Sequence, residues 1–193
     1  MATTIFAPAH AVRENRLCGT YSRIVAAVVC ALIIIWSSIA TAQDTGNDGN
    51  FVKDVAKQVL LDPTTYAPAA VLYTSMQLDW NTSQPLFQAG FVEKNARYTQ
   101  SGLAGDRPLS YSAGNRQLLV DSLAMVPSSM ANNALNRMIE RGLTSRYPEK
   151  KTLWKTLGWV ERIAFASYTS YLFSRPHFEQ WRTNVRMAEQ LPR

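Results

Sequence analysis

Residues 68–97 read PAAVLYTSMQLDWNTSQPLFQAGFVEKNAR. At 100° per residue, Ala69, Tyr73, Met76, Trp80, Phe87 and Phe91 fall on one stripe, with steps mostly of three and four, as an amphipathic helix requires. Pro68 suits the first turn of that helix. The pattern predicts that it runs to about Arg97, with a break or kink near Pro85. Beside the apolar stripe lies a second one of Ser75, Asp79, Ser83, Gly90, Glu93 and Arg97. Asp79 and Ser83 are four residues apart, as are Glu93 and Arg97, so each pair can meet on a helix. A core face with a polar seam beside it predicts helix packed on helix, with hydrogen bonds buried at the contact.

The rest of the chain repeats the helical signal. Asn50 can cap a helix over 51–61, FVKDVAKQVLL, which stops at Asp62-Pro63. Residues 99–114, TQSGLAGDRPLSYSAG, read as a loop. A third helical region is expected from Asn115 to about Arg146, interrupted near Pro127. A fourth is expected from about Lys150 to Phe173, and a last one opens at Pro176. No stretch sustains the alternation of a strand. The expected fold class is all-α, a bundle of four to six helices, some of them kinked at proline.

The N-terminus carries a different signal. Arg13, Arg16 and Arg23 precede the uncharged run Ile24–Trp36, and Ala40-Thr41-Ala42 follows. A basic region, an apolar region and an A-x-A site are the parts of a secretory signal. Residues 24–43 are also long enough for an uncleaved membrane anchor. The expected organisation is a signal peptide or anchor at 1–42, a linker at 43–49 and one helical domain at 50–193. Export is expected in both cases, to the periplasm or outside, or anchored in the inner membrane of a bacterial envelope.

Of the 193 residues, 20 are basic and 14 acidic, for a net charge of +6. Without Arg13, Arg16, Arg23 and Glu14 the domain keeps 17 basic and 13 acidic residues, a net +4. Both cysteines, Cys18 and Cys30, lie in the leader, and His177 is the domain's single histidine. That composition excludes Cys/His zinc sites and HExxH metalloprotease chemistry, and it leaves little room for a histidine triad. Nucleic acid is not an expected partner, since no basic cluster is interleaved with aromatics. An envelope protein or anionic lipid is. The later helices carry Asp79, Asp121, Lys155, Glu161 and Arg162, and a charge at the centre of a span costs about 2.5–3.5 kcal/mol. The expected domain is therefore water-soluble or peripheral.

Candidate functional residues are carboxylates and their neighbours. Asp79 and Glu93 would stand about 21 Å apart on a straight helix, beyond the limit of about 9.5 Å for a glycosidase pair. Only a reversal near Ser83-Gln84-Pro85 would join them. Asp121 shares helical spacing with Ser128 and Asn132. Glu161 shares a stripe with Trp154, Gly158, Phe165, Tyr168 and Leu172, while Lys151, Lys155 and Arg162 form a basic stripe expected to face water. His177, just after Pro176, could serve as a general base, but with Glu179 and Trp181 nearby a helix-entry or surface role is expected. The sequence nominates Asp79, Ser83, Glu93, Asn95, Arg97, Asp121, Asn132 and Glu161 as an internal polar network, or as a pocket for a cation or small polar ligand. No residue is nominated as catalytic or as a metal ligand, and no cofactor is expected.

From Asp79 to Asn95 the chain reads D-x-x-x-S, then G-F-V-E-x-N. This is similar to an element of small uncharacterised helical bacterial membrane proteins, in which an Asp is followed by Ser or Thr in one helix and then by G-x-x-E-x-N-P. Here Ala96 stands in place of that proline. The resemblance implies a helical envelope protein whose Asp79, Gly90, Glu93 and Asn95 hold one helix–turn–helix geometry, and it implies no reaction. Two function classes follow: a structural or interaction module, and a carboxylate-based hydrolase or binder of a divalent cation or small polar ligand.

Overall fold

Leu72, Met76 and Trp80 lie at successive steps of four in one helix, and their burial starts the core. The computed structural model describes residues 48–191. The signal or anchor segment expected at 1–42 and residues 43–47 of the linker lie outside the described residues. The elements are α1 (Asp48–Leu61), a 3-10 turn (Pro63–Thr65), α2 (Ala67–Gln88), a 3-10 turn (Ala96–Tyr98), α3 (Tyr111–Leu123), α4 (Val126–Arg146), a 3-10 turn (Pro148–Lys150) and α5 (Lys151–Glu189). The described chain is an all-α bundle. Its extended pairings are two isolated antiparallel bridges, Glu93 with Asp106 and Thr99 with Pro108.

Ala69, Leu72, Met76 and Trp80 from α2 meet Tyr98, Leu118 and Met125 in this core, and Tyr73, Phe87 and Phe173 pack at its edge. The Trp80 indole lies 5.6 Å from the Phe87 ring and 5.8 Å from the Tyr98 ring, centroid to centroid. Gly114 of α3 lies against that indole, so closely that a Cβ there would stand 2.2 Å from Trp80 Cζ2. A small residue on α3 thus sets how near α3 can come to α2. Leu118, buried one turn later, completes the contact.

Several boundaries differ from the sequence expectation. α2 ends at Gln88, short of Arg97, and continues through Pro85 without a break. Pro85 forfeits its own bond to the Asn81 carbonyl, but only three residues of helix follow it. Gly90, at φ 92°, then reverses the chain, a conformation glycine adopts without steric cost. α3 begins four residues before Asn115, because Ser110 Oγ accepts from Ala113 N and caps it. The interruption between α3 and α4 falls at Ala124–Met125, with Pro127 in the first turn of α4 rather than at the break. α1 begins at Asp48, two residues before Asn50.

The largest difference is α5. The sequence predicts two helices divided near Pro176, but Lys151–Glu189 is one helix of 39 residues with Pro176 inside it. Ser170, Ser174 and Asn184 are buried on both sides of the proline. Tertiary contact along α2 thus holds the helix together across a residue that local propensity would use as a stop.

Candidate functional site

The polar seam of α2 meets α5. Asn184 Nδ2 donates to Asp79 Oδ1 at 2.9 Å and to Ser83 Oγ at 2.8 Å. Its Oδ1 accepts from Gln180 Nε2 at 2.8 Å. His177 Nδ1 faces Asp79 Oδ2 at 3.2 Å. Both carboxylate oxygens of Asp79 are therefore engaged by α5. Ser83 does not bond the Asp79 carboxylate, as its spacing suggested. Its Oγ donates to the Asp79 backbone carbonyl at 2.9 Å, and Asn184 joins the two side chains. Helical spacing of three and four places His177, Gln180 and Asn184 on one side of α5. Asn184 is almost fully buried, at 2 % exposure, so its amide needs these partners.

The reversal at Gly90 returns the chain toward α2, later than the Ser83–Pro85 turn a dyad would have needed. Glu93 N donates to Asp106 O at 3.0 Å, and Gly105 N to Glu93 O at 2.8 Å, which fixes the returning segment. The Glu93 carboxyl is pushed above the usual carboxylate range, chiefly by burial and further by the charge of Asp79. A hydrogen bond from Asn95 N, 2.7 Å from Oε1, opposes that shift. Glu93 and Arg97 do not pair, since neither lies on α2. Asn95 Oδ1 accepts from Arg97 N at 3.1 Å and caps the turn Ala96–Tyr98.

Arg97 turns instead to Asp121 of α3, where Nη2 donates to Oδ1. Gln117 Nε2 donates to the same oxygen at 2.8 Å, and the Tyr98 hydroxyl donates to Oδ2 at 2.8 Å. Burial and the Asp121 carboxylate raise the Tyr98 phenol far above its usual range, so it stays a donor. Asp121 does not meet Ser128 or Asn132, because the helix that would have aligned them stops at Leu123. Asn132 Nδ2 is buried without a hydrogen-bond partner among the described residues.

A second network joins the turn Pro63–Thr65, α4 and α5. Arg162 is 2 % exposed. Its Nε lies 3.0 Å from Asp62 Oδ2, within ion-pair distance but off the hydrogen-bond direction, and its Nη1 donates to Glu140 Oε2 at 3.2 Å and to Asn136 Oδ1. Arg137 Nη2 donates to Asp62 Oδ2 at 2.9 Å. Burial disfavours the Asp62 charge. Two hydrogen bonds from Thr64, the bond from Arg137 and the charge of Arg162 outweigh it and hold the carboxyl below the usual range. Asn133, also buried, donates to Thr64 Oγ1 at 2.9 Å and Thr65 Oγ1 at 2.8 Å.

This network corrects the reading of α5. Arg162 faces the interior and Glu161 the exterior, where its Oε2 accepts from Asn136 Nδ2 at 2.6 Å. The expected basic stripe was thus split: Lys151 and Lys155 are exposed, and Arg162 is not. Gly158 leaves room for the cluster, since a Cβ there would stand 2.7 Å from Glu140 Oε2. His177 lies inside α5 rather than at a helix entry, and its side chain, 30 % exposed, faces Asp79. Sequence reasoning missed Asp62, Asn133, Asn184 and Arg162 as network residues. Their one available signal was the spacing of polar residues on otherwise apolar faces.

The chemistry open to these groups is narrow. A nucleophilic triad needs a hydroxyl on the imidazole and a carboxylate behind it. Ser83 bonds Asp79 and Asn184, not His177. Among the described residues no three His, Cys, Asp or Glu side chains converge as metal ligands. An open groove beside α5 holds Arg175, Glu179 and Arg182 but none of Asp79, Glu93 or His177. Among the described residues no helix is long and apolar enough to cross a membrane. The chain matches no known family, curated protein or solved structure.

Proposed function

We propose that this chain is a non-catalytic interaction module of the bacterial cell envelope, exported through its N-terminal 42 residues and built to present helical surfaces to a partner. One observation carries the reading: the carboxylates Asp79, Asp121 and Asp62 are spent on side chains of the bundle itself. Asp79 is taken up by His177 and Asn184, Asp121 by Arg97, Tyr98 and Gln117, and Asp62 by Thr64, Arg137 and Arg162. Groups that act on a substrate must converge on a space it can enter. These converge on one another, which suits a role in fixing helix register. The resemblance of the Asp79–Asn95 element to helical envelope proteins points the same way, as does the basic and apolar N-terminus.

The second reading, a carboxylate-based hydrolase or cation binder, rests on the Asp79–His177 pair and the charge felt by Glu93. Thermal melts separate the two. The interaction reading expects Asp79→Asn to lower the melting temperature, since it loses a charge-assisted bond of about 1.5–3 kcal/mol, and expects millimolar Mg²⁺ or Ca²⁺ to leave the wild type unchanged. A cation-induced rise in the wild type that vanishes in Asp79→Asn would overturn it.

A further inference from the structure

Among the described residues, one side of α5 is covered by no other helix. Leu153, Leu157, Val160, Ala164, Ser167 and Tyr171 are all exposed, and they follow one another at steps of four, three, four, three and four. That is the repeat by which one helix seats its side chains along another. Gly158, Arg162, Ala166, Ser170 and Ser174, on the opposite side, are buried in the bundle. Leu153, Leu157 and Val160 keep 48–50 % of their surface exposed and Tyr171 keeps 60 %. A contiguous apolar strip of this kind marks an interaction site.

We propose that this strip is covered by the same strip of a second copy of the chain, running antiparallel about a two-fold axis near residue 162. The inference deepens the reading of the domain as an interaction module and rests on it. Self-pairing about that axis sets Val160 against Ala164, Leu157 against Ser167 and Leu153 against Tyr171. Large side chains meet small ones near the axis, and a flat ring meets a leucine at each end. The same alignment brings Glu149, on the turn leading into α5, together with Lys150 and Lys151 to the Arg175–Glu179 ion pair of the other copy, so that both signs of charge meet at each end. A parallel alignment would stack Lys150 and Lys151 on themselves and Arg175 on itself. With Tyr168 at the flank, half-exposed side chains of these sizes cover about 500 Å² per copy. The pair then buries about 1,000 Å², the threshold for a specific interface. A bilayer surface would accept the same repeat but has no use for the opposition of large and small side chains along it.

The test uses the full chain in mild detergent, with Cys18→Ser and Cys30→Ser, carrying Val160→Cys together with Ala164→Cys. Oxidation with copper–phenanthroline is expected to give a covalent dimer that a reductant reverses. Adding Leu157→Glu is expected to abolish it while the circular dichroism spectrum stays helical, since Leu157 is half-exposed in one copy. Val160→Cys alone is expected to remain monomeric, because the two-fold holds those positions beyond the reach of about 7 Å for a disulfide. A dimer from Val160→Cys alone would mean a parallel pair and overturn the proposal. So would a folded double variant that gives no dimer, or a monomer whose thiols become protected on adding phosphatidylglycerol vesicles. None of these outcomes alters the melts of Asp79→Asn, so failure of the pairing and failure of the interaction reading remain distinct.

Discussion

Gly114→Ala and Gly142→Ala make the same chemical change in two helices, and the structure expects opposite signs. Gly142, in α4, is exposed and has nothing within 4 Å of an added Cβ. Alanine there gains helix propensity alone, about 1 kcal/mol. At Gly114 the added carbon meets Trp80 Cζ2 at 2.2 Å and Cε2 at 2.4 Å, where carbons rest at about 3.5–4.0 Å. Relief requires the indole to retreat by more than about 1 Å. Trp80 is 4 % exposed, with Phe87 and Tyr98 packed against it. Overpacking of this kind costs about 3 kcal/mol; less the propensity gain, about 2 kcal/mol of net destabilisation remains. At about 3 °C per kcal/mol for a domain of this size, Gly142→Ala melts about 3 °C above wild type and Gly114→Ala about 6 °C below it. Circular dichroism melts and urea midpoints measure both. Trp80→Phe, which shortens the ring, should recover part of the Gly114→Ala loss in a double-mutant cycle. A Gly114→Ala protein that melts at or above wild type refutes the close packing of α3 on α2.

Arg162→Met leaves the half-buried Arg137 as the one remaining cation facing both Asp62 and Glu140, and is expected to cost about 3 kcal/mol in urea denaturation. Asp62→Asn in the same chain should return part of that loss. Asn184→Ala removes the amide shared by Asp79 and Ser83, with an expected loss of about 1.5–3 kcal/mol by the same measurement. The pH dependence has two arms. Asp62 ionises more readily in the folded chain, so its contribution is present above its ordinary value of 3.8 and is lost as pH falls through the lower folded value. Glu93 holds its proton more tightly when folded, so its contribution is present below its ordinary value of 4.5 and is lost as pH rises through the higher folded value. Asp62→Asn should flatten the first arm and Glu93→Gln the second in melts taken across the acid range.

The helical class was legible because apolar residues recur at three and four throughout, and Ala69, Met76 and Trp80 took the buried positions that their spacing assigned. Boundaries were legible where a side chain made the local decision, as at Asp62-Pro63. They were lost where distant packing overrode local chemistry. Pro176 looks like a stop from its neighbours, and only α2 lying alongside carries the helix through it. The candidate site divides in the same way. Asp79 with Ser83, and Asp121 as a network residue, could be nominated as polar groups on apolar helices. Their partners His177, Asn184 and Arg97 come from 24 to 105 positions away, a separation no helical period encodes. Glu161 and Arg162 are adjacent, and a shift of one residue in the assumed face exchanged an interior cation for an exterior anion.

The unbroken course of α5 has a mechanical consequence. Arg162 fastens it to the turn at Asp62 and to α4, and Asn184, 22 residues later, fastens it to α2. At 1.5 Å per residue the two attachments stand about 33 Å apart on one rod. A rod held at one point can turn or slide by a residue, but a rod pinned at two must release both before it moves at all. The position of α5 in the bundle is therefore all or nothing, and the proline between the pins is where it would bend if either let go.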